Sequence, residues 1–242
     1  MNLIGKTPEN EVLNAPAPGS TDTYTAIEHR QIVDQLFEEL DKKDIRVEKS
    51  QYTANDNRNQ VAAQHLLSIE GMNDNVMGPA INWGNSYDKT KRFTMASGAI
   101  TLVCTNGMIG LRDVMEFSRK HTGNAMKDVE NMIQQVVNNL ETTFEKFQRQ
   151  MEILQYREIT KRMAGEYLGR LYFEEQILTP TQLNEVKRNY FTDENFKCNS
   201  EGNNSAFNFY NNVTEALKST HPNEYIRKHA KFNAFSEAEL IS

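Results

Sequence analysis

The chain has 242 residues, of which 38% are hydrophobic and 25% charged, and its formal net charge at pH 7 is −6. This balance excludes a disordered chain, and no window approaches the roughly 18 apolar residues of a membrane-spanning helix. The acidic total excludes a protein that binds polyanions over its whole surface. It permits a local basic groove, because charges act only within about 8–10 Å in physiological salt.

The N-terminal segment predicts a flexible arm. It begins MNLIGKTPENEV, which lacks the basic start and apolar core of a signal peptide, so we expect a cytoplasmic protein. NAPAPGSTDT follows, and its proline, glycine and serine content predicts a linker over residues 1–23. Folded structure is therefore expected to begin after residue 23.

A short amphipathic helix is predicted next. Thr25 and Glu28 have the spacing of a capping box, which predicts that the helix begins at Thr25. Its apolar residues then recur with helical spacing at Ile32, Val33, Leu36, Phe37 and Leu40. The helix is expected to end near residue 43.

Residues 44–109 predict a mostly antiparallel sheet of four or five strands. IRVEKSQYTA and VAAQHLLSIE alternate loosely on either side of the turn residues NDNRN, as in a hairpin. Short apolar segments follow, separated by glycine, asparagine, aspartate and serine: INWGNSYD, RFTMAS and AITLVC. The last of these leads into Asn106-Gly107, which predicts a tight turn at the end of a central strand.

From residue 123 onward the pattern becomes helical. Apolar residues recur at every seventh position, at Met126, Ile133, Leu140, Phe147 and Leu154. A second set of heptad positions begins with Val129 and Val136 and continues with the polar residues Thr143 and Gln150. A coiled coil needs apolar residues at both sets, so a long helix lying across the sheet is predicted instead. This helix is expected to break near residues 155–158, and a further helix carries the apolar residues between 159 and 171.

The strongest local signal in the chain is a helix start. In LTPTQL, Thr179 is the predicted N-cap, Pro180 occupies the first helical position, and Gln182 closes a capping box. A last helix is predicted through residues 206–217, ending before the proline at position 222.

These elements predict an α+β fold: an N-terminal helix, a twisted, mostly antiparallel sheet packed on a long helix, and a C-terminal helical region. The flexible arm would occupy residues 1–23 and the α+β core residues 24–156. The helical region would occupy residues 157–242 and pack on the core.

The sequence lacks the familiar catalytic and metal motifs. It has no G-x-G-x-x-G, Walker, G-x-S-x-G or H-E-x-x-H pattern, and its 5 histidines have no metal-ligand spacing. Cys104 and His121 would suit a nucleophile and its base, but a buried strand thiol and a surface imidazole are the favoured explanation. We therefore predict no metal, no cofactor and no catalytic residue, and the protein is expected to bind rather than to catalyse.

Basic and aromatic residues cluster around the Asn106-Gly107 pair and predict a groove for single-stranded DNA. Lysine and arginine would contact phosphates, polar side chains would donate hydrogen bonds, and an indole would stack on a base. The candidate residues are Trp83, Asn85, Ser86, Lys89, Lys91, Arg92, Asn106, Arg119, Lys120 and His121. The alternative interpretation is an ordinary solvated cluster of charges beside aromatic residues of the core.

Several short motifs in this region resemble the phage/plasmid-like family of domain of unknown function 932. The family's Asn-Ser-x-Asp element matches Asn85, Ser86 and Asp88, and its Cys-x-Asn element matches Cys104 and Asn106. A basic element that opens a long helix matches Lys120, His121, Thr122, Gly123 and Asn124. The family's C-terminal element resembles FNFYNNVTEALKSTHP, so the resemblance covers roughly residues 40–235.

The chain departs from the family pattern within the first of these elements. Tyr87 stands where the family's Asn-Ser-His-Asp element has histidine, and Lys89-Thr90 stands where it has Gly-Ser. A catalytic role of that histidine in the family would therefore not carry over to this chain.

The resemblance implies a phage or mobile-element origin. The sheet-and-helix architecture is also similar to that of phage single-strand annealing proteins of the Red-beta and Erf type, which assemble as rings or filaments. The leading hypothesis is accordingly a DNA-metabolism protein in the host-cell cytoplasm that binds and anneals single-stranded DNA as a homo-oligomer. The alternative is a non-enzymatic phage protein that binds a host or virion protein for host takeover, counter-defence or virion structure. An enzyme acting on a small ligand or nucleotide is the third hypothesis.

Overall fold

The computed structural model of the protein describes residues 7–72, 77–101, 106–116, 125–192 and 205–242, and for residues 101 and 106–116 it describes the backbone alone. Within these residues the strands are β1 (Arg46–Ala54), β2 (Gln60–Ser68), β3 (Met77–Ser86), β4 (Thr94–Thr101) and β5 (Asn106–Glu116). The α-helices are α1 (Glu9–Leu13), α2 (His29–Asp41), α3 (Ala125–Asn138), α4 (Leu140–Tyr156), α5 (Lys161–Phe173), α6 (Pro180–Phe191), α7 (Ala206–Leu217) and α8 (Pro222–Ser236). A π-helical turn, Glu237–Ile241, follows α8.

The described strands form one antiparallel sheet in the order β1-β2-β3-β4-β5, so each strand pairs with the strand before it in the sequence. Short connections suffice for such a meander, because a tight turn can join antiparallel neighbours. The predicted α+β fold with an antiparallel sheet is confirmed. The sheet continues beyond residue 109, since β5 ends at Glu116.

The Asn106-Gly107 pair lies in the sheet and not in a turn. Asn106 pairs with Thr101 and Gly107 pairs with Ile100, so both residues open β5. The prediction of a turn at these two residues is therefore wrong, because an Asn-Gly pair favours a hairpin turn only where it falls between two strands. The connection from β4 to β5, which contains Cys104, lies outside the described residues.

Two consecutive helices, α3 and α4, lie across one face of the sheet. Ile133 of α3 and Phe147 of α4 are both buried, as the seven-residue repeat predicts. Thr143, one of the polar residues of the heptad pattern, also has a partner in the sheet, because its Oγ1 accepts a hydrogen bond from Ser97 Oγ at 3.1 Å. The predicted long helix is therefore confirmed, with one interruption between α3 and α4.

The opposite face of the sheet is covered by α8. Ile226 and Ala230 pack on Ala96 of β4, and the helix also lies over β2, β3 and β5. Small strand residues permit this approach: a Cβ atom at Gly84 would lie 3.7 Å from Ile226 Cδ1. The predicted end of a helix before Pro222 holds for α7, but Pro222 then opens α8 at its first position, where proline is tolerated.

The sequence predicts a flexible arm over residues 1–23, and within this segment residues 7–13 contact the core while residues 18–23 are exposed. In α1, Val12 belongs to the hydrophobic cluster that also contains residues of α2 and β1. The Thr7 N–H donates to the Tyr52 carbonyl at 2.9 Å, and the Thr7 hydroxyl accepts from the Ala54 N–H at 3.1 Å. These bonds cover the outer edge of β1. Two adjacent apolar residues, Val12 and Leu13, produce no periodic pattern, so the sequence gives no sign of this contact.

The capping-box pattern predicts that α2 begins at Thr25, but the helix begins at His29. Its N-cap residue, Glu28, makes no side-chain capping bond. The Tyr87 hydroxyl accepts from the His29 N–H at 2.8 Å instead, from 58 residues further along the chain. A cap supplied by a distant residue has no local spacing by which the sequence could reveal it.

The start of α6 forms as the sequence predicts. Thr179 Oγ1 accepts from the Gln182 N–H at 3.3 Å, and Gln182 Oε1 accepts from the Thr179 N–H at 3.0 Å. The capping box is therefore complete, with Pro180 in the first turn. Gln182 Nε2 also donates to Thr220 Oγ1 at 3.1 Å, which ties the cap to the segment between α7 and α8.

Replacing Thr179 with alanine is expected to lower the free energy of unfolding by about 1 kcal/mol, because the Gln182 N–H loses its acceptor. The exposed neighbour Thr181, replaced in the same way, is the matched control and should stay within about 0.5 kcal/mol of the wild type. Urea unfolding followed by circular dichroism measures both variants. Equal losses at the two positions would contradict a capping role.

Candidate functional site

A pocket opens at the end of the sheet where β3 turns into β4. The turn faces the loop that precedes α2, and the pocket between them has a volume of about 180 Å³. Buried apolar side chains meet hydroxyl, amide and ammonium groups here. The lining residues are Thr23, Tyr24, Thr25, Ile27, Asn85, Ser86, Lys89, Lys91 and Phe93, which we call the lysine pocket.

Two lysines give the lysine pocket its charge. Lys89 has a left-handed backbone, with φ at 62°, a conformation that favours glycine. Its Nζ lies 4.4 Å from the centroid of the Tyr24 ring, in a cation–π contact. Lys91 forms an ion pair with Glu224 in the first turn of α8, and Arg227 pairs with the same carboxylate. One ammonium group is therefore already paired, and the other lies over an aromatic ring.

The carboxylate of Glu224 is ionised at neutral pH. Burial acts to raise its pKa, but the hydrogen bonds and charges of Lys91 and Arg227 outweigh burial and hold the pKa below its ordinary value. Close by, the Asn223 side-chain amide donates to Thr90 Oγ1 at 2.9 Å. The first turn of α8 is therefore tied to the turn that forms the lysine pocket.

Trp83 lies in the core and not in the lysine pocket. Its side chain is 0% exposed, and its Nε1–H donates to His65 Nε2 at 2.9 Å. Because that nitrogen accepts, a neutral His65 carries its proton on Nδ1 and donates to Ser50 Oγ at 2.9 Å. Burial lowers the pKa of His65 to about 4, which agrees with a neutral ring. The stacking of Trp83 on a base, which the sequence predicts, is incompatible with this placement.

The structure brings part of the predicted nucleic-acid site together and separates another part. The predicted residues that line the lysine pocket are Asn85, Ser86, Lys89 and Lys91. Arg92 is exposed and follows them directly in the chain. Asn106 pairs with Thr101 at the opposite end of β4, roughly 24 Å away at about 3.4 Å per residue. The predicted residues outside the described part of the chain are Arg119, Lys120 and His121.

A comparison with known families matches residues 20–236 of the chain to the model described as Domain of unknown function (DUF932). This range contains the whole sheet, the lysine pocket and the helices from α2 to α8. The chain belongs to the DUF932 family. No curated protein and no solved structure matches the chain.

The Asn-Ser-x-Asp element, on which the DUF932 resemblance rests in part, shapes the turn of the lysine pocket. Asp88 Oδ1 accepts from Ser86 Oγ and, at 3.1 Å, from the Thr90 N–H, while its Oδ2 accepts from Gln60 Nε2. Burial acts to raise the pKa of Asp88, but these hydrogen bonds outweigh it and keep the pKa below its ordinary value. Asp88 is therefore an ionised carboxylate whose acceptors serve the turn, and we assign it a structural role.

Asn85 of the same DUF932 element connects the turn to the start of α2. Its Nδ2 donates to the Ile27 carbonyl at 2.7 Å and to His29 Nδ1 at 3.1 Å. His29 thus accepts at Nδ1 and, as a neutral ring, donates from Nε2 to the Arg58 carbonyl at 3.1 Å. Burial lowers the pKa of His29 to about 4, although the bond to Arg58 acts in the opposite direction.

Tyr87, which departs from the DUF932 pattern, holds His29 from the other side. The two rings are stacked with their centroids 4.0 Å apart, and the Tyr87 hydroxyl accepts from the His29 N–H. Burial raises the pKa of Tyr87 to about 12, so the phenol stays neutral at physiological pH. The tyrosine therefore caps α2 and packs on a neutral imidazole, which is a structural use of this position.

Sequence reasoning misses five residues of the lysine pocket: the apolar Ile27 and Phe93, and the loop residues Thr23, Tyr24 and Thr25. Thr23 falls in the predicted arm, and Thr25 is the predicted N-cap of α2. Only the packing of this loop against the β3–β4 turn brings the three loop residues opposite Lys89, and no local motif signals such a contact.

Within the described ranges, no group of three or more histidine, cysteine, aspartate or glutamate side chains could hold a metal ion. None of the helices in this part of the chain is long and apolar enough to cross a membrane. Cys104, Cys198 and His121 lie outside these ranges, so the nucleophile-and-base alternative stays a prediction from sequence.

Proposed function

We propose that this protein binds the phosphate backbone of single-stranded DNA at the lysine pocket. It would act in the host-cell cytoplasm in the DNA metabolism of a phage or mobile element, with strand annealing as its activity. The supporting observation is the grouping of two lysines with threonine hydroxyls around one pocket. Lysine and hydroxyl groups commonly contact phosphate oxygens, and such contacts read no base sequence.

Binding at this surface would depend on phosphates rather than on stacked bases. Trp83 is buried, and the ring of Tyr24 is covered by the ammonium group of Lys89. Arg92, exposed beside Lys91, extends the positive surface. Because the net charge is −6, the attraction has to be local, and salt screens it beyond about 8–10 Å. Further contributors in this proposal are Arg119, Lys120 and His121, which stay predictions.

Replacing Lys89 with glycine and Lys91 with alanine together is expected to weaken binding to a mixed-sequence oligonucleotide. The slope of log K against log salt should flatten by about 0.7 for each phosphate that the variant no longer neutralises. Glycine suits position 89 because it accepts the left-handed backbone there, so this double variant should keep the wild-type melting temperature. Fluorescence anisotropy at several salt concentrations measures both the affinity and the slope.

The matched control replaces Lys161 and Lys187 with alanine. Both lysines are exposed, on α5 and α6, and neither lines the lysine pocket. This second double variant removes the same charge, so equal losses in the two would indicate a general charge effect and contradict the assigned site. A wild-type protein with no affinity for single-stranded DNA at roughly 50 mM salt would overturn the proposed function.

A protein partner is the second candidate, and two exposed aromatic side chains favour it. Tyr156 at the end of α4 is 88% exposed, and Phe173 at the end of α5 is 76% exposed. Aromatic residues are enriched in protein interfaces and often dominate their binding energy. In this case the chain would be a non-enzymatic phage protein that binds a host or virion protein. Two results together would favour this candidate: the protein shows no affinity for DNA, and a second protein co-purifies with the wild type but not with the Tyr156→Ser variant.

A further inference from the structure

We propose that the lysine pocket receives the terminal phosphate of a DNA strand, a phosphomonoester dianion, while internal phosphodiesters contact the lysines only from outside. This assignment rests on the proposed function and specifies which part of the strand enters the pocket. It depends on the volume of the pocket, on the contacts that close it, on its charge and on one ion pair that can exchange.

The small volume of the pocket favours a phosphate group over a whole nucleotide. At about 180 Å³, the lysine pocket is smaller than the roughly 300–1,000 Å³ of pockets that enclose drug-sized ligands. A phosphate group fits a space of this size, whereas a whole nucleotide is closer in size to the ligands of the larger pockets.

The two walls of the lysine pocket are in contact, so no channel runs between them. A strand that passed through would need an opening between the β3–β4 turn and the loop before α2. Tyr24 joins these two walls, because its ring lies under the Lys89 ammonium and its hydroxyl donates to the Tyr87 carbonyl at 3.3 Å. The buried side chains of Ile27 and Phe93 add apolar surface to the lining. A pocket whose two walls are joined by Tyr24 suits the end of a strand better than its middle.

The charge of the lysine pocket favours a dianion. A terminal phosphate carries about −1.5 to −2 charges at neutral pH, whereas a phosphodiester carries a single charge. Lys89 and Lys91 supply two positive charges, and the hydroxyls of Thr23 and Thr25 supply neutral donors. None of the described residues that line the pocket is acidic, but two carboxylates contact the lining: Asp88 is bonded to Ser86, and Glu224 is paired with Lys91. The second charge of a strand end strengthens its attraction to the two ammonium groups.

One ion pair has to exchange when a phosphate enters. Lys91 pairs with Glu224, and a bound phosphate would take the place of that carboxylate. Glu224 would keep its second partner, Arg227, so no carboxylate is left without a cation. The side chain of Lys91 is 42% exposed, and partly exposed ion pairs contribute little stability, so the exchange is feasible.

Anisotropy measurements with three strands of one sequence test the assignment: a strand with a 5′-phosphate, a strand with a 3′-phosphate, and a strand with hydroxyl groups at both ends. At least one phosphorylated strand is expected to bind the wild-type protein on the order of tenfold more tightly than the hydroxyl-ended strand. The two phosphorylated strands distinguish the ends. Inorganic phosphate, added as a competitor, distinguishes a strand end from a free anion.

Two variants locate the preference in the lysine pocket. Lys89→Gly removes one ammonium group at a position that accepts glycine, and it should bring the ratio of phosphorylated to hydroxyl-ended affinity close to one. Glu224→Gln weakens the competing ion pair and should raise that ratio. Glu166→Gln is the matched control, because Glu166 pairs with Arg162 on α5, away from the pocket, and it should keep the wild-type ratio.

The outcomes separate this assignment from the proposed function. A ratio near one for the wild-type protein, with measurable affinity for all three strands, would overturn the terminal-phosphate assignment and leave DNA binding intact. If inorganic phosphate displaces the strands when its concentration only equals that of the strands, the pocket binds a free anion, and the terminal-phosphate assignment is overturned. A protein that binds none of the strands would overturn the proposed function itself.

Discussion

Replacing Trp83 with alanine is expected to lower the free energy of unfolding by about 3–5 kcal/mol, because the indole fills the core under α2 and α3. Its removal leaves a cavity that close-packed neighbours fill only in part. It also leaves His65 Nε2 without its hydrogen-bond donor in a place that is 0% exposed. The folded fraction of this variant should still bind DNA, since the ring does not line the lysine pocket.

A second variant, Trp83→Phe, separates packing from hydrogen bonding. Phenylalanine keeps much of the ring but has no N–H, so the unpaired His65 acceptor alone should cost about 1–3 kcal/mol. Urea unfolding gives both free energies, and the melting temperature should fall by roughly 2–4 °C for each kcal/mol of destabilisation. A Trp83→Ala protein with wild-type stability and weakened DNA binding would contradict the core placement and restore the stacking hypothesis.

The sequence predicts those elements whose signals are local. The seven-residue repeat predicts α3 and α4 and the burial of Ile133, Leu140 and Phe147, because a helix brings such positions onto one face. The capping box at Thr179 is predicted for a similar reason, since all of its partners lie within three residues. In each case the interacting groups are neighbours in the sequence.

Elements that depend on distant partners are predicted poorly. The cap of α2 comes from Tyr87, and α1 is held by Val12 in a core that the chain builds later. The predicted placement of Trp83 at a binding surface is wrong for a related reason. Every residue of β3 is buried, because helices cover both faces of the sheet, yet the strand contains Asn82 and Asn85. Polar residues in a strand usually indicate a solvent-exposed face, so the alternation that would place the indole inside is hidden.

The candidate site is predicted in part, for the same reason. Asn85, Ser86, Lys89 and Lys91 surround one tight turn, so their proximity follows from the sequence alone. Tyr24, on the opposite wall, is more than sixty positions away in the sequence and enters only through tertiary packing. The ion pair between Lys91 and Glu224 depends on how α8 lies across the sheet, which no local pattern determines.

Acidification is expected to destabilise the protein between pH 7.5 and pH 5, because two buried histidines are neutral in the folded state. Burial lowers the pKa values of His29 and His65 to about 4, whereas an unfolded histidine titrates near 6.5. Between these values the unfolded chain binds more protons, so the free energy of unfolding falls as the pH falls. At pH 5 each histidine should account for a loss of about 2 kcal/mol, or about 4 kcal/mol together.

The hydrogen bonds explain why protonation is unfavourable at both rings. His65 accepts from the indole of Trp83, and His29 accepts from the amide of Asn85. A second ring proton would convert each acceptor into a donor facing another donor, in a site with no exposed surface. The carboxylates of Asp88 and Glu224 do not disturb this pH window, since their lowered pKa values keep them ionised above pH 5.

Urea unfolding at pH 7.5, 6.5, 5.8 and 5.0 measures the effect, and two variants assign it. His65→Gln and His29→Asn each remove one titrating ring, so each should destabilise the protein at pH 7.5 and lose about half of the pH-dependent fall. The double variant should lose the contributions of both rings to this fall. The comparison uses the slope of the free energy of unfolding against pH, because a packing defect lowers that free energy equally at every pH and leaves the slope unchanged. A wild-type free energy that stays constant from pH 7.5 to 5.0 would mean that both rings protonate freely in the folded protein, which the Trp83 and Asn85 donors do not permit.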